Sequence, residues 1–106
     1  MLASDYSSAA FILFEKQKCY QQALDAVNEA IRITENGKSF RNWIENADYS
    51  NRHLPNNYRL KSEILATLEK EKEAITAAEI SLKIARQVKN DFYIKENLKN
   101  LESWKK

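Results

Sequence analysis

Residues 21–33 read QQALDAVNEAIRI, and residues 72–84 read KEAITAAEISLKI. Each places compact side chains at i, i+4 and i+7: Ala23, Val27 and Ala30 in the first, Ala74, Ala78 and Ser81 in the second. That period marks one face of a helix. Small side chains on such a face let two antiparallel helices sit near the short end of the ~8–10 Å interaxial range. A chain that writes this helix twice is built from helix pairs.

The correspondence extends upstream. Tyr6, Ala10 and Leu13 match Tyr58, Ser62 and Leu65, each 52 residues apart, whereas Ala23, Val27 and Ala30 precede their matches by 51. The first copy therefore has one extra residue in the turn between its two helices. Apolar periodicity and capping residues predict helices over about 4–17, 20–35, 56–68, 71–89 and 91–104. Ser4 or Asp5 suits the first N-cap, and Asn90 or Asp91 the last. Asn36-Gly37 is expected to end the second helix. Leu60, Ile64, Leu65 and Leu68 are expected inside, and the fifth helix carries Ile94, Leu98 and Leu101, with Trp104 near its end. Residues 69–73, EKEKE, read as the solvated start of the fourth helix. Glu79/Lys83, Asp91/Lys95 and Glu102/Lys106 form i, i+4 pairs in the favourable order.

Residues 38–54 are less regular and read as a 17-residue insertion. Phe40, Trp43 and Ile44 hold helical spacing for two turns, while DYSNRHLPNN reads as a loop closed by Pro55. Leaving these large apolar groups in water forfeits ~1.5–3 kcal/mol each. The insertion is therefore expected to fold as a short helix against the repeats or a second subunit, with Trp43 as its anchor.

Composition agrees with a helical domain. The 106 residues contain one glycine and one proline, Gly37 and Pro55, too few for the turns of a β protein. Hydrophobic residues make up 43% and charged residues 30%, excluding a disordered tail or a membrane protein. Net charge is +2, and the basic excess lies in the second half, interspersed with acids, so nucleic acid is not the expected partner. No apolar run approaches the ~20 residues of a membrane span. MLASDYSSAAFILFEKQ has no basic start and makes a poor signal peptide. Nothing assigns a compartment.

The twice-written pattern resembles the tetratricopeptide repeat, a helix-turn-helix unit of 34 residues. The resemblance rests on Tyr6/Tyr58, Ala10/Ser62, Leu13/Leu65, Ala23/Ala74 and Ala30/Ser81, with Tyr20 fitting the aromatic that opens the second helix. It covers residues 4–34 and 56–89, about sixty per cent of the chain. The usual turn glycine is replaced by Lys or Glu, the usual proline after the second helix is missing, and the repeat spacing exceeds 34 by 17. The resemblance implies an all-α single domain: repeat 1 over about 4–36, the insertion, repeat 2 over about 56–89, and a capping helix over 91–105 that covers the apolar end and turns a polar face outward. A narrower resemblance is to the helical repeat tail of a Bacteroidetes family of unknown function, carried by AAFILFEKQKCYQQALDAVNEAIRI and NYRLKSEILATLEKEKEAITAAEISLKIARQ followed by ENLKNLESWKK. In that family the tail follows a β-rich domain, which is absent here.

Chemistry is sparse. His53 is the only histidine and has no evident positioned partner. Cys19 is the only cysteine and stands in a turn, where it reads as a packing or surface residue. No spacing suggests a metal site, and one glycine cannot build a phosphate loop. No catalytic residue, cofactor or metal is expected. The tetratricopeptide resemblance implies a concave face on the first helices of the pairs: Ser7, Phe11 and Phe14 from the first copy, Arg59, Glu63 and Ala66 from the second, with Phe40 and Trp43 beside them. Relatives that clamp a peptide carboxylate use Lys and Asn there, so Ser7 and Phe11 argue against such a clamp. The bland alternative is that Phe11 and Phe14 are core or lie under the insertion.

The expectation is a non-enzymatic interaction or assembly module. Its partner is a protein or peptide, a sister subunit in a two-fold dimer, or a missing N-terminal domain. The rivals are a nucleic-acid-binding or regulatory domain using Arg59, Lys61, Lys83, Arg86 and Lys89, an enzyme domain around His53 and Cys19, and an accessory domain of a larger enzyme.

Overall fold

The computed structural model describes the backbone of residues 3–40 and 43–105, and the side chains of 6–35 and 54–105. Five helices follow one another: α1 (Ala3–Glu15), α2 (Tyr20–Phe40), α3 (Trp43–Thr67), α4 (Glu71–Gln87) and α5 (Asp91–Trp104). Each packs on the next, and α3 also touches both α1 and α5. The fold is all-α, made of stacked helix pairs.

The small-residue stripes are where helices meet. Ala10, Ala23, Ala30, Ala74, Ala78 and Ser81 are all fully buried. The main core joins Ala10 of α1, Ala23, Leu24 and Val27 of α2, Leu60, Ile64 and Leu65 of α3, and Ala74 and Ala77 of α4. A smaller cluster of Ala78, Leu82 and Leu101 holds α5. Because Ala74 has no exposed surface, Ala74→Leu is expected to destabilise the fold by ~1–3 kcal/mol through overpacking. A denaturant titration measures it.

The connections agree with the inferred offset. Four residues join α1 to α2 and three join α3 to α4. The turns close without glycine: Lys18, Glu69 and Lys89 adopt the left-handed conformation, with φ of 55°, 65° and 59°. At Glu69 and Lys89 the helix closes in the same way. The Glu69 N–H donates to the Ala66 carbonyl (3.1 Å) and Lys70 N–H to that of Leu65 (2.9 Å). Lys89 N–H donates to Arg86 (3.3 Å) and Asn90 N–H to Ala85 (2.9 Å). This pairing satisfies carbonyls that a helix end otherwise leaves free. A β-carbon in this conformation costs roughly 1–2 kcal/mol, partly offset by its smaller unfolded-state entropy. Glu69→Gly is therefore expected to stabilise by about 0.5–1 kcal/mol, measurable by the same titration.

Several expectations are corrected. The second helix does not stop at Asn36-Gly37 but runs to Phe40. The loop expected over DYSNRHLPNN, residues 48–57, is instead part of α3, one helix of 25 residues that passes through Pro55. The side chains of Phe40 and Trp43 lie outside the described residues, as does the expected anchoring of Trp43. Leu98 is not core but 44% exposed, and Phe92 is 62% exposed, so α5 does not turn a wholly polar face outward. Leu68 is only partly buried. Glu79 pairs with Lys105, just past the end of α5 (3.2 Å). Residues 69–73 are exposed throughout, and the Asn90 side chain caps α5, accepting from the Tyr93 N–H at 3.2 Å.

Candidate functional site

Between α1 and α3 runs a groove of about 550 Å³, lined by Ser7, Ser8, Phe11, Ile12, Asn56, Arg59 and Leu60. Helical spacing aligns Ser7, Ser8, Phe11 and Ile12 on one face of α1, and Asn56, Arg59 and Leu60 on the first described turns of α3. Phe11 is 48% and Ile12 46% exposed, so the groove has apolar walls open to solvent.

Three expected residues, Ser7, Phe11 and Arg59, line this groove together. Glu63 stands one turn further along α3 and acts on it through Arg59. Phe14 belongs elsewhere: its ring meets that of Tyr20 edge-on, centroids 5.8 Å apart, and packs on the main core. Phe14 lies in the last turn of α1 and Tyr20 opens α2, so the two rings meet across the connection. Ala66 also packs on the core.

The groove floor is a polar network. The Ser7 hydroxyl donates to Asn57 Oδ1 (2.7 Å), tying α1 to α3. The Arg59 guanidinium pairs with the Glu63 carboxylate, donates to Asn56 Oδ1 (3.0 Å) and lies 5.9 Å from the centre of the Tyr93 ring. Glu63 is also 3.5 Å from the Asn100 amide nitrogen of α5. The charge of Arg59 is thus neutralised within the protein, and the groove presents hydroxyls, amides and apolar surface in place of a free cation. Two buried donors, Arg59 Nε and Asn57 Nδ2, have no acceptor among the described residues. Asn57 and Asn56 were missed in the sequence. Their only signal was polar side chains at the start of a strongly apolar helix pattern, which reads as capping.

At the far edge of α3, the Tyr58 hydroxyl donates to Glu35 of α2 (3.0 Å). Burial, with the neighbouring carboxylate, pushes the phenol up to about 12. The folded chain therefore favours neutral Tyr58 more than the unfolded chain does. This contribution is complete below about pH 10, the ordinary tyrosine value, and is lost as pH rises towards about 12. Alkaline unfolding is expected to show a steeper loss of stability over that window in the natural chain than in Tyr58→Phe.

The basic residues of the nucleic-acid rival do not share one face. Arg59 lines the α1–α3 groove, Lys61 a hollow between α3 and α4, and Lys83 and Arg86 a groove between α4 and α5. Cys19 is half-buried in the α1–α2 connection, its Sγ 3.6 Å from the Gln17 carbonyl. The His53 side chain lies outside the described residues. Among the described residues no group of His, Cys, Asp and Glu is placed to hold a metal, and no helix is long and apolar enough to cross a membrane. No family model, curated protein or solved structure matches the chain.

Proposed function

We propose that the chain is a non-enzymatic, tetratricopeptide-like interaction module that receives a protein segment in the α1–α3 groove. The observation that carries this is an open groove in which half-exposed Phe11 and Ile12 stand beside the polar side chains of Ser7, Asn56 and Arg59. A peptide would lay an apolar side chain against the Phe11–Ile12 wall and its backbone beside Ser7, Asn56 and Arg59. Because Glu63 already neutralises Arg59, the preferred segment is apolar, and not one led by an acidic group.

Selection of random peptides on the full chain tests this. Enriched peptides are expected to carry an aliphatic or aromatic anchor. Phe11→Ser is expected to weaken them roughly tenfold, as for loss of one apolar anchor, with helix content unchanged. Peptides that bind Phe11→Ser as tightly as the natural chain would remove the groove from consideration.

A further inference from the structure

We infer that the outer stripe of α5 is a self-association surface, and that its occupant is the α5 helix of a second copy, lying antiparallel. This surface is separate from the α1–α3 groove and does not depend on it. Asp91, Lys95, Leu98, Glu102 and Lys105 recur at i, i+4, i+7, i+11 and i+14, and all five are exposed. Leu98 stands at the middle of α5 and is 44% exposed. It borders a groove of about 800 Å³ between α4 and α5, whose apolar floor it shares with Leu82 and Leu101. A leucine in that place has no role in the monomer core.

The charges around it are arranged for one partner. Seven residues turn an α-helix by about two full turns, to within roughly 20°. Asp91 and Lys105 therefore point the same way as Leu98, one on either side. If a second α5 is laid against the first about a two-fold axis at Leu98, the direction of the chain reverses. Asp91 then faces Lys105 of the second copy, Leu98 faces Leu98, and Lys95 comes within one residue, about 1.5 Å along the axis, of Glu102. The axis repeats each ion pair, giving four around one apolar contact. A parallel alignment would instead set Asp91 against Asp91 and Lys95 against Lys95. Lys105 now touches Glu79, but both side chains are about half exposed (51% and 53%), and such a surface pair holds its partners weakly. The patch is thus self-complementary, as an isologous two-fold contact requires.

Sedimentation equilibrium of the full chain tests this, with circular dichroism to check that each variant is folded. The natural chain is expected to dimerise with rising concentration, and Leu98→Glu to stay monomeric at full helix content. Lys95→Glu alone and Glu102→Lys alone each set like charges together, and each is expected to weaken the dimer roughly tenfold or more. The double variant Lys95→Glu with Glu102→Lys restores opposite charges and is expected to return to within about threefold of the natural chain. These exposed reversals keep the test open if Leu98→Glu fails to fold. A natural chain that stays monomeric at high concentration overturns the inference. So does a double variant no better than the singles, or a dimer that Phe11→Ser dissociates and the α5 variants do not.

Discussion

Ile64→Ala is expected to remove ~2–5 kcal/mol, the range for deleting a large aliphatic side chain from a core. Ile64 has no exposed surface and heads the fully buried side chains in size; Val27 is next, and those that follow are Asn57, Asn97, Pro55, Ser62 and Ser81. The core mixes buried alanines with large aliphatic side chains, Leu24, Val27, Leu60 and Leu65 among them. Ile64 joins a cluster drawn from α1, α2, α3 and α4. Its loss opens a cavity that four helices border. The full transfer and cavity penalties should therefore be felt. For a domain whose whole stability is ~5–15 kcal/mol, this is a large part. Leu98→Ala serves as the contrast: at 44% exposure it should cost well under half as much in the monomer. Equilibrium denaturation of both variants decides the matter. A loss below ~1 kcal/mol for Ile64→Ala would mean that the helix pairs do not share one core.

The helix pairs were legible because their signal is periodic and doubled. Ala23, Ala30, Ala74 and Ser81 are buried as their spacing requires, and the one-residue offset between copies appears as a four-residue and a three-residue connection. The middle of the chain was not legible, and Pro55 is the reason. A proline disfavours helical geometry in the residue before it and removes an N–H, so the segment up to Pro55 reads as loop. In the fold, α3 runs through it. The helical bond to the carbonyl of Asn51 cannot form, at a cost of ~3 kcal/mol in an exposed helix. Tertiary contacts offset it: Leu54 and Pro55 are buried, and the Pro55 carbonyl accepts from the Ser81 hydroxyl of α4 at 2.7 Å. Local propensity lost to packing that only the assembled pairs can supply.

The groove was legible in part for the same reason. Ser7, Phe11 and Arg59 follow from the face of the first helices. Phe14 does not, because its ring packs edge-on to Tyr20 of α2 and on the main core. In α5 the error was one of angle. Ile94, Leu98 and Leu101 fit helical spacing, yet Ile94, Leu101 and Trp104 pack on the α4 cluster with Asn97 buried among their face. That face turns Leu98 about 100° away from Asn97. An asparagine at a core position carries no apolar signal, so the pattern settled on the leucine beside it.

Asn97 leads to the second large expectation. It lies 35 residues after Ser62, as Tyr93 lies 35 after Tyr58, so α5 carries the aromatic and the buried polar group of α3 in the same relative places. Asn97 is fully buried. Its amide nitrogen donates to the Ser81 hydroxyl (2.7 Å) and to the Tyr93 carbonyl (2.8 Å), while Ser81 passes its own proton to the Pro55 carbonyl. One chain of hydrogen bonds thus joins α3, α4 and α5. Asn97→Ala breaks the α5 end and leaves a void, and is expected to cost about 2–4 kcal/mol. Asn97→Leu should behave differently. The Asn97 carbonyl oxygen has no partner among the described residues, a defect worth ~1–3 kcal/mol that leucine removes while filling the same space. Ser81 keeps its bond to Pro55. Two lost hydrogen bonds at ~1 kcal/mol each then nearly balance one relieved orphan, and the leucine variant should lie within ~1 kcal/mol of the natural chain. The readouts are a denaturant titration for both variants and amide hydrogen exchange along α5. If leucine is near neutral yet α5 exchanges faster, Asn97 serves to fix where α5 docks more than how tightly the chain folds. If leucine costs as much as alanine, the hydrogen bonds to Ser81 and Tyr93 dominate, and the junction is a stabilising element in its own right.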